Sequence, residues 1–356
     1  MTEPLAPGST IGILGGGQLG RMLSIAAARL GFRCHIYEPG AEPPAGDVAA
    51  RVTTASYDDQ EALAAFAASV DVITFEFENV PAEALDLLEA QVPIRPGRNA
   101  LAVSQDRLTE KSFLSELGIT VAPHAAVDTL DDLQGAFSDH GPGILKTRRL
   151  GYDGKGQARV RNEADLDPAL DAMKGAPAIF EALIPFEREI SVIAARGVTG
   201  ETTCFDPGEN VHRDGILYTT TVNDSIGRGV RTDAVLTAAK ILDALDYVGV
   251  MGVEMFVHPT QDLMVNEIAP RVHNSGHWTI EACLIDQFQQ HIRAVCGWPL
   301  GDGSRHSDAL MTNLIGAEID PWCELSSRPV GMHLYGKSES RPGRKMGHIT
   351  EIKPRG

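Results

Sequence analysis

Short apolar runs alternate with amphipathic stretches along the amino-terminal third of the chain. Three runs, Thr10–Leu14, Arg33–Tyr37 and residues 70–77, have the length and β-branched content of buried strands. Between the first two runs, apolar residues recur at helical spacing: Leu19, Met22, Leu23, Ala26 and Leu30. The alternation predicts parallel strands with intervening helices, which is an α/β domain. Prolines and a glycine predict its end near residue 97.

A glycine-rich turn, residues 15–20, joins the first strand to this helix. With Glu38 at the end of the next strand, it satisfies the GxGxxG fingerprint of dinucleotide-binding domains. The amides at a helix amino terminus suit any phosphate, so we interpret the turn as a phosphate site. An NAD-dependent dehydrogenase is the more remote alternative. Glu76 and Glu78 end the third strand, where they either hydrogen-bond a ligand or are solvated acids opening the next helix.

The middle of the chain predicts a second, smaller α/β unit that begins after Pro123. Ser104 or Asp106 can cap the helix that precedes it. Apolar runs then predict strands over residues 144–147, 178–184 and 190–194. The connection that contains Glu189 is a predicted nucleotide hinge, in which backbone groups bind a base and a carboxylate binds ribose hydroxyls.

Residues 148–157, RRLGYDGKGQ, place three glycines among basic side chains. The amides of such a loop can wrap phosphates, although the GxxxxGK[ST] pattern is absent. Lys146, in the apolar strand before the loop, supports this interpretation because an unpaired buried ammonium is costly. A hairpin turn with basic residues is the alternative, and one loop can be both.

A β-hairpin in the carboxy-terminal half brings two acids together. Residues 248–258 and 263–271 predict strands joined by the turn residues PTQD. If the two residues that flank this turn face each other, Glu254 lies opposite Glu267, with Cβ atoms about 5 Å apart. Two carboxylates so placed require a cation or a shared proton. Strand alternation extends the same face to Ala269, Arg271 and His273. We predict a binding site here rather than a salt-bridged sheet surface, because the neighbours of Glu254 are apolar.

Helical spacing predicts one helix that starts at Thr232 and another over residues 278–296. Near the carboxyl end, Lys337 and residues 341–348 form a local basic cluster. Such a cluster suits a substrate phosphate, and a solvated basic loop is an equally good interpretation.

Composition narrows the classes of function. A chain of 356 residues with 43% hydrophobic and 22% charged residues predicts two or three ordinary globular domains. The net charge of −17 argues against non-specific nucleic-acid binding, yet allows an anionic substrate in a local basic pocket. Five scattered cysteines without CxxC spacing indicate free thiols in a reducing cytoplasm. No long apolar run is present, so a membrane role is not expected.

Six motifs, spread over nearly the full length, occur together: GGGQLGRM, EFENVP, GYDGKGQ, ENVHRDGIL, NEIAPRVHNSGHWT and GRKMGHIT. In this combination the chain resembles the N5-carboxyaminoimidazole ribonucleotide synthetases, which are ATP-grasp carboxylases of purine biosynthesis. The resemblance implies an ATP-grasp fold, α/β overall and α+β in its central and carboxy-terminal parts. The implied units are a Rossmann-like domain (1–97), a linker with a helix (98–122), a central lid domain (123–184) and a carboxy-terminal domain (185–356).

The implied reaction joins bicarbonate to 5-aminoimidazole ribonucleotide with conversion of ATP to ADP and phosphate, through carboxyphosphate. Mg²⁺ and a homodimer are also implied. A formate-dependent transformylase, which would share the ATP half of the fold, is the nearer alternative.

The resemblance also implies a role for individual residues. Glu254 and Glu267 would bind the metal. The implied ATP-binding residues are Arg107, Lys146, Gly151, Gly154, Gly156, Glu181, Ala182, Leu183, Glu189, His212, Asn266 and Glu267. The implied residues around the aminoimidazole ribonucleotide are Gln18, Leu19, Glu76, Tyr152, Asp153, Lys155, Arg271, His273, Lys337 and Arg344. Those with an implied catalytic role are Asp153, Arg271, His273 and Lys337.

Two departures from the wider family pattern matter. Many ATP-grasp enzymes have ExNxR at the metal strand, whereas this chain has Ala269 between Glu267 and Arg271, which leaves a third metal ligand unassigned. Lys155 stands where arginine is as common, so a bidentate phosphate contact is not expected from it.

Overall fold

The computed structural model describes residues 3–151 and 156–355. Its first sheet is parallel, with strand order β3-β2-β1-β4. The elements of this part are β1 (Thr10–Leu14), α1 (Gln18–Arg29), β2 (Arg33–Tyr37), β3 (Arg51–Thr53), α2 (Gln60–Ala67), β4 (Val72–Phe75) and α3 (Ala82–Glu89). The first two strands match their predicted bounds, and the third is shorter than the apolar run because Glu76 turns out of the sheet to the glycine turn. A parallel α/β arrangement is thus confirmed here.

Two helices, α4 (Arg98–Ser104) and α5 (Arg107–Glu116), connect this sheet to the next. Asp106 caps α5, accepting hydrogen bonds from the backbone N–H groups of Leu108 and Thr109. Of the two caps that the sequence allows, Asp106 is therefore the one used. Asp106 also pairs with Arg148, at 2.9 Å, and this contact fixes the start of α5 against the glycine-rich loop.

The second sheet is antiparallel, with order β5-β8-β6-β7. It comprises β5 (His124–Val127), α6 (Leu130–His140), β6 (Gly143–Thr147), β7 (Gln157–Val160), α7 (Leu166–Ala172) and β8 (Ala178–Ala182). Helix α6 begins with a capping box between Thr129 and Asp132. Leu133, Leu145 and Phe180 are fully buried between the helices and the sheet, so this unit has its own core.

The third sheet is antiparallel, with order β14-β13-β9-β11-β12-β15-β17-β16, and β10 pairs with β9. Its strands are β9 (Arg188–Arg196), β10 (Thr202–Cys204), β11 (Gly208–Arg213), β12 (Ile216–Val222), β13 (Gly249–Val257), β14 (Leu263–Ala269), β15 (Ser307–Ile315), β16 (Gly331–Leu334) and β17 (Lys345–Pro354). Its helices are α8 (Arg228–Ala244), α9 (Thr279–Ala282), α10 (Gln287–Val295) and α11 (Trp322–Leu325). None of the helices within the two described segments is long and apolar enough to cross a membrane.

Two of the predicted helices differ from those observed. Helix α8 starts at Arg228 rather than Thr232. The single helix predicted over residues 278–296 is wrong, since the chain forms α9 and α10 instead. Cys283 is extended and bridges to Arg305, and Asp286 then caps α10. Apolar periodicity continues across the break, which is why the pattern alone did not show it.

The β13–β14 hairpin contains a bulge that restores the predicted pairing of the two acids. Next to the turn, Val257 pairs with Leu263, one residue away from the register that simple counting gives. Continued to Glu254, that register would pair this residue with Asn266. The bulge between Glu254 and Met255 shifts it by one, and Glu254 pairs with Glu267 as predicted.

A buried histidine joins the first sheet to the third. His291 on α10 contacts the Thr74 hydroxyl on β4 through Nε2, at 2.7 Å, and Nδ1 accepts from the N–H of Val250 on β13, at 3.0 Å. Because Nδ1 must accept, the ring is neutral and carries its proton on Nε2. Burial lowers the pKa of His291 to about 3. Gly249, with φ +140°, lies against the ring, where a Cβ would approach Cε1 to 3.1 Å.

This contact predicts acid-sensitive stability. The pKa of the folded state lies below that of the unfolded chain, so the unfolded state binds the proton more readily and stability falls as pH drops from about 6.5 towards 3. Between pH 8 and pH 5 the loss from His291 should be about 2 kcal/mol. We expect His291→Gln to be less stable at pH 8 yet to lose that much less on acidification, measured by denaturant titration. A free energy of unfolding that falls with pH as steeply in the variant as in the native protein would contradict this. Substitution of an exposed histidine, His306→Gln, is the control.

Candidate active site

The ends of β4 and β14 meet the start of α5 around a cleft of about 290 Å³. Charged side chains from all three elements line it, namely Glu78, Arg107, Glu110, Glu267 and Arg271. Arg148 and Gly151 close one side, at the foot of the glycine-rich loop. Acids and arginines that converge in one cleft suit a phosphorylated or carboxylated ligand with a cation.

The opposed acids of the hairpin are unequal. Glu267 accepts from Arg107 Nη1 at 3.1 Å. Burial raises the pKa of Glu267, but the Arg107 guanidinium together with Lys146 and Lys111 outweighs burial and leaves this pKa below its usual value. Burial, and then the charges of Glu267 and Glu189, raise the pKa of Glu254 to about 8. The two carboxylates thus repel each other, and a cation between them would relieve the repulsion.

Two lysines converge on one carboxylate at the edge of the second sheet. Lys146 on β6 lies 2.9 Å, and Lys111 on α5 3.6 Å, from Glu181 Oε2 on β8. Burial raises the pKa of Glu181, but the two ammonium groups outweigh it and the pKa lies below its usual value. The other oxygen, Oε1, has no hydrogen-bond partner among the described residues. Lys111 also donates to the carbonyl of Asn266, the extra residue of the bulge, at 2.7 Å.

Lys111 and Glu110 were not among the predicted site residues. Both are buried on α5, and the N–H of Ile268 donates to Glu110. Burial, and then the charge of Glu267, raise the pKa of Glu110 to about 8. A signal existed in the sequence, because Glu110 lies one helical turn before the buried Leu114 and so occupies the apolar stripe.

A third group lies on the other side of Glu254. Ligand atoms of Glu189, His212 and Glu254 all lie within 4.8 Å of one another, close enough to share a metal ion. His212 Nδ1 is 3.1 Å from Glu189 Oε2. Burial lowers the pKa of His212, but Glu189 together with Glu254 outweighs burial, so the pKa is raised overall. Next to this group, the rings of Phe186 and Phe256 stack with centroids 4.6 Å apart.

Arg271 links the third sheet to the first. Its Nε donates to Glu78 Oε2 at 2.9 Å and its Nη2 to Glu78 Oε1 at 2.7 Å, which is a bidentate pair. Burial lowers the pKa of Arg271, but Glu78 together with Glu267 and Glu76 outweighs burial, and the guanidinium stays charged. Glu78 is thus engaged by a protein cation rather than solvated, and the pair forms one wall of the cleft.

The glycine-rich turn holds protein carboxylates. The N–H groups of Gly17 and Gly20 donate to the two oxygens of Glu76, and that of Gly16 donates to Glu38. A Cβ at Gly17 would lie 2.7 Å from Glu76 Oε1, so glycine is needed there for the carboxylate to approach. The predicted phosphate site at this turn is therefore wrong in this structure, because Glu76 occupies the amides. Glu38, which the dehydrogenase interpretation requires for ribose, is likewise engaged.

The helix that follows this turn begins with Gln18 and Leu19, so both flank Glu76. Burial raises the pKa of Glu76 and the two backbone donors lower it, with a net upward shift. A carboxyl with a raised pKa in this position can accept from, or donate to, a ligand group.

His273 lies just beyond β14 and reaches back to the hairpin. Its Nε2 is 3.4 Å from Glu254 Oε1. Its Nδ1 lies 2.8 Å from the Ser275 hydroxyl. Burial, and then the charge of Arg271, lower the pKa of His273 well below its usual value, so the ring is neutral near pH 7. The predicted juxtaposition of His273 with the acid pair is confirmed on the side of Glu254.

The carboxy-terminal basic cluster is smaller than predicted. His348 is fully buried on β17 and hydrogen-bonds to Tyr335. Its inclusion in the cluster is wrong, because strand alternation turns it into the core. Arg344 is half-buried and donates to the carbonyl of Glu339 at 2.8 Å. Lys337 donates to the carbonyl of Lys345 at 2.7 Å, next to Gly336, which packs on Arg21.

The remaining predicted residues frame the same region. Gly151 accepts from Arg107 Nη2, at 3.3 Å, and Gly156, with φ +69°, accepts from the N–H of Thr147. Ala182 ends β8, and the exposed side chain of Leu183 follows it. Four predicted residues lie outside the described part of the chain: Tyr152, Asp153, Gly154 and Lys155.

Three family models match the chain. They are an ATP-grasp domain over residues 112–288, a ribonucleotide synthetase preATP-grasp domain over residues 8–105, and a phosphoribosylaminoimidazole carboxylase C-terminal domain over residues 309–355. Together they span all three sheets.

Relatives and solved structures agree with these models. The N5-carboxyaminoimidazole ribonucleotide synthase of Brucella melitensis biotype 1 is 55% identical over 99% of this chain and 98% of its own length. The ADP complex of an N5-carboxyaminoimidazole ribonucleotide synthetase superposes with a TM-score of 0.96, at 40% identity over 99% of this chain and 94% of that one. The Aspergillus clavatus enzyme in complex with ADP and 5-aminoimidazole ribonucleotide superposes with a TM-score of 0.92. The two are 33% identical over 98% of this chain and 95% of that one.

Proposed function

Because this chain belongs to the family of N5-carboxyaminoimidazole ribonucleotide synthases, we propose that its active site is the cleft bounded by Glu78, Arg107, Glu267 and Arg271. The protein is an ATP-grasp ligase of purine biosynthesis that carboxylates 5-aminoimidazole ribonucleotide with consumption of ATP. The observation that supports this location is the opposed pair Glu254 and Glu267, which lies between a lysine cluster and the Arg271–Glu78 pair.

We assign the ATP half of the site to the edge shared by the second and third sheets. Lys146, Lys111 and Arg107 bring three positive charges to its phosphate end. Glu189 and His212 sit on neighbouring strands at the other end, where a carboxylate and an imidazole suit ribose hydroxyls. The exposed Leu183 and Phe186 offer apolar contact to the base. Glu181 would hold the lysines in place until the phosphates arrive.

The residues present fit the Mg²⁺ that this family uses with ATP. Glu254 and Glu267 face each other across the hairpin, and burial, followed by the charge of Glu267, raises the pKa of Glu254 to about 8. Oxygen ligands are those that Mg²⁺ prefers, and two carboxylates plus nucleotide phosphates are a common set for it. Bound there, the ion would offset negative charge on the phosphates. Ala269 cannot supply a third ligand, so phosphate oxygens and water would complete the shell.

The first step places bicarbonate next to the γ-phosphate. A bicarbonate oxygen forms a bond to the γ-phosphorus, and the bond to the β-phosphate oxygen breaks, which gives carboxyphosphate and ADP. Glu78 occupies the Nε–Nη2 edge of the Arg271 guanidinium and holds it in one orientation. A planar carboxylate would therefore meet the Nη1–Nη2 edge, where Nη1 donates to the Val272 carbonyl. The Arg107 guanidinium, paired to Glu267, faces the same cleft. Both arginines would stabilise the charge that develops on transfer.

The second step joins the amine to carbon. The exocyclic nitrogen of 5-aminoimidazole ribonucleotide bonds to the carbonyl carbon of carboxyphosphate, or to CO₂ released from it. Phosphate leaves and the nitrogen loses one proton. Glu76, Gln18 and Leu19 form the wall on the first sheet where the aminoimidazole would bind. His273 Nε2 lies 3.4 Å from Glu254, on the opposite side of the proposed reaction centre from the nucleotide lysines, and would face the reacting amine there.

The overall activity is tested by ADP release. We expect release that requires both bicarbonate and 5-aminoimidazole ribonucleotide, followed with a coupled assay at saturating ATP. Release that ignores the ribonucleotide would reject this substrate. Release that accepts formate in place of bicarbonate would favour a transformylase instead.

The loop that contains Lys337 and Arg344 would bind the phosphate of the ribonucleotide. Gly336 in this loop lies against Arg21 on α1, so a cation of the first domain is next to the loop. We expect Arg344→Ala to raise the KM for the ribonucleotide by about 10-fold and to change the KM for ATP by less than about twofold, because only one charged contact is lost. Initial-rate kinetics with each substrate varied would measure both. Equal rises in the two KM values would contradict the assignment, and Arg328→Ala, which removes a surface pair with Glu351 on β17, is the control.

We further propose the division of the chain into residues 1–97, 98–122, 123–184 and 185–356, supported by one sheet in each of the three larger units. A homodimer and a cytoplasmic location complete the proposal. The five free thiols are consistent with a reducing compartment. Size-exclusion chromatography with light scattering would test the dimer.

A further inference from the structure

A buried chain of hydrogen bonds runs from His273 into the third sheet. His273 Nδ1 contacts Ser275 Oγ at 2.8 Å, and Ser191 Oγ donates to Ser275 Oγ at 2.7 Å. Asn210 Nδ2 donates to Ser191 Oγ at 3.0 Å, and Thr220 Oγ1 donates to Asn210 Oδ1 at 2.9 Å. All four residues beyond His273 are at most 5% exposed. The chain is therefore shielded from solvent along its length.

The sheet places these residues in line beneath the acid pair. Thr220 on β12 is the cross-strand partner of Asn210 on β11, and Ser191 on β9 is the cross-strand partner of Glu254 on β13. Directly opposed residues point to the same side of a sheet. The polar chain and the Glu254 carboxylate thus share one face, and His273 spans the gap between them, since its Nε2 lies 3.4 Å from Glu254.

Thr220, at the far end of the hydrogen-bond chain, sets the direction of every hydrogen bond in it. Thr220 is fully buried, and Asn210 Oδ1 is the one acceptor within reach of its hydroxyl in the described part of the protein. A buried hydroxyl proton without an acceptor is costly, so Thr220 donates. Asn210 then has its oxygen towards Thr220 and must turn its NH₂ group towards Ser191. An amide flip would reverse this, and it would leave the Thr220 proton without a partner.

The direction passes through the two serines to the imidazole. Ser191 accepts from Asn210, so its own proton goes to Ser275. Ser275 in turn accepts from Ser191, so its proton goes to His273 Nδ1. The backbone N–H of Ser275 also donates to that nitrogen, at 3.4 Å, and a backbone amide cannot accept. Two donors on Nδ1 leave the proton of the neutral ring on Nε2.

We propose that Thr220, Asn210, Ser191 and Ser275 are positioning residues that hold His273 as the Nε2–H tautomer, so that it presents a hydrogen-bond donor to Glu254 and the cleft. The effect of this tautomer on catalysis rests on the function proposed above. In this form His273 cannot accept the amine proton at Nε2 in the resting enzyme. It instead directs its proton towards the Glu254 carboxylate, 3.4 Å away, or towards an oxygen or nitrogen of the bound reactants. The fixed tautomer matters because the wrong tautomer of a site histidine removes the interaction while the ring stays in place.

The tautomer can be observed without any substrate. We expect the ¹⁵N spectrum of histidine-labelled protein at pH 7.5 to show Nδ1 of His273 unprotonated and Nε2 protonated, with the signal assigned by its loss in His273→Gln. A ring with its proton on Nδ1, or an even mixture of the two forms, would overturn the inference. Because this measurement needs no turnover, it stands or falls separately from the proposed reaction.

An isosteric variant should reverse the direction of the hydrogen bonds between Asn210 and His273. Asn210→Asp replaces the NH₂ donor by an acceptor, so an ionised carboxylate receives protons from both Thr220 and Ser191 and draws the His273 proton to Nδ1. The carbon-13 shift of the new carboxyl reports its ionisation. Retention of Nε2–H above an ionised carboxylate would overturn the inference. A carboxyl that stays protonated donates as the amide did, and then loss of Nε2–H would overturn it.

The kinetic consequence separates positioning from folding. We expect Asn210→Asp and Ser275→Ala each to lower kcat by about 10-fold or more while the KM for ATP changes by less than about twofold. The control is Ser24→Ala, which removes an equally buried hydroxyl on α1 that is not part of this hydrogen-bond chain. Unchanged kcat in variants whose tautomer has moved would remove the catalytic part of the proposal. A fall in kcat equal to that of the control, with the native tautomer retained, would assign the residues to folding alone.

Discussion

Glu267→Gln is expected to lower kcat by about 10³-fold with little change in stability. The carboxylate lies opposite Glu254 and accepts from Arg107, so it joins the metal position to a cation of the cleft. A glutamine amide keeps the shape of the glutamate side chain but removes one of the two negative charges that would bind Mg²⁺. The loss should therefore fall on turnover, because the transition state for phosphoryl transfer gathers charge that the ion offsets.

Stability should stay close to that of the native protein because two effects oppose each other. Removal of the charge relieves repulsion with Glu254 and Glu110, whose pKa values it helps to raise. The same change takes the counter-ion from Arg107. Steady-state kinetics and denaturant titration of the same preparation would measure both properties. Exposed Glu163→Gln is the matched control, and native turnover in Glu267→Gln would rule out the metal role.

Arg271→Lys is expected to lower kcat/KM for bicarbonate by about 10²-fold. Lysine keeps the charge but replaces a two-pronged contact to Glu78 by a single point charge. Without the fork, neither Glu78 nor a planar carboxylate ligand is held in one orientation. The first sheet would then be less firmly fixed to the cleft, since Glu78 follows β4 and Arg271 follows β14.

A double-mutant cycle with Glu78→Gln would show whether the two residues act together. We expect a coupling of about 0.5–3 kcal/mol in transition-state free energy, because the two half-buried groups are in direct contact. Additive losses would mean that Arg271 acts on the ligand without help from Glu78. Arg196→Lys, in a surface pair with Asp243, tests for a general effect of the exchange.

Several local features followed from the sequence because they depend on neighbours along the chain. The bounds of β1 and β2 and the hairpin that carries Glu254 rest on propensity and alternation, and capping rules narrowed the start of α5 to Ser104 or Asp106. The identity of the acid pair also came from counting along one hairpin. That count reached the right partners only because a bulge at Asn266 corrected its starting register.

Contacts between residues that are far apart along the chain could not be predicted from propensity, capping or alternation. Glu76 lies far from the glycine turn in sequence, yet it takes the amides that a phosphate would have used. Lys111 and Glu110 appeared to belong to an ordinary amphipathic helix until β14 and β8 were placed against them. Periodicity also continued through the break at Cys283, which a bridge to Arg305 decides.

The sequence by itself determined the alternation of strands and helices, the acid hairpin and, through its motifs, the family. The tertiary structure decided which charges neutralise one another and which remain for a ligand. Glu78 is bound by Arg271, and Glu181 by two lysines, whereas Glu254 remains beside a like charge with a raised pKa. It also decided the proton position on His273, through residues from three other strands. The physical reason is that pairing energies depend on burial and on distances of a few ångströms, which only the folded chain fixes.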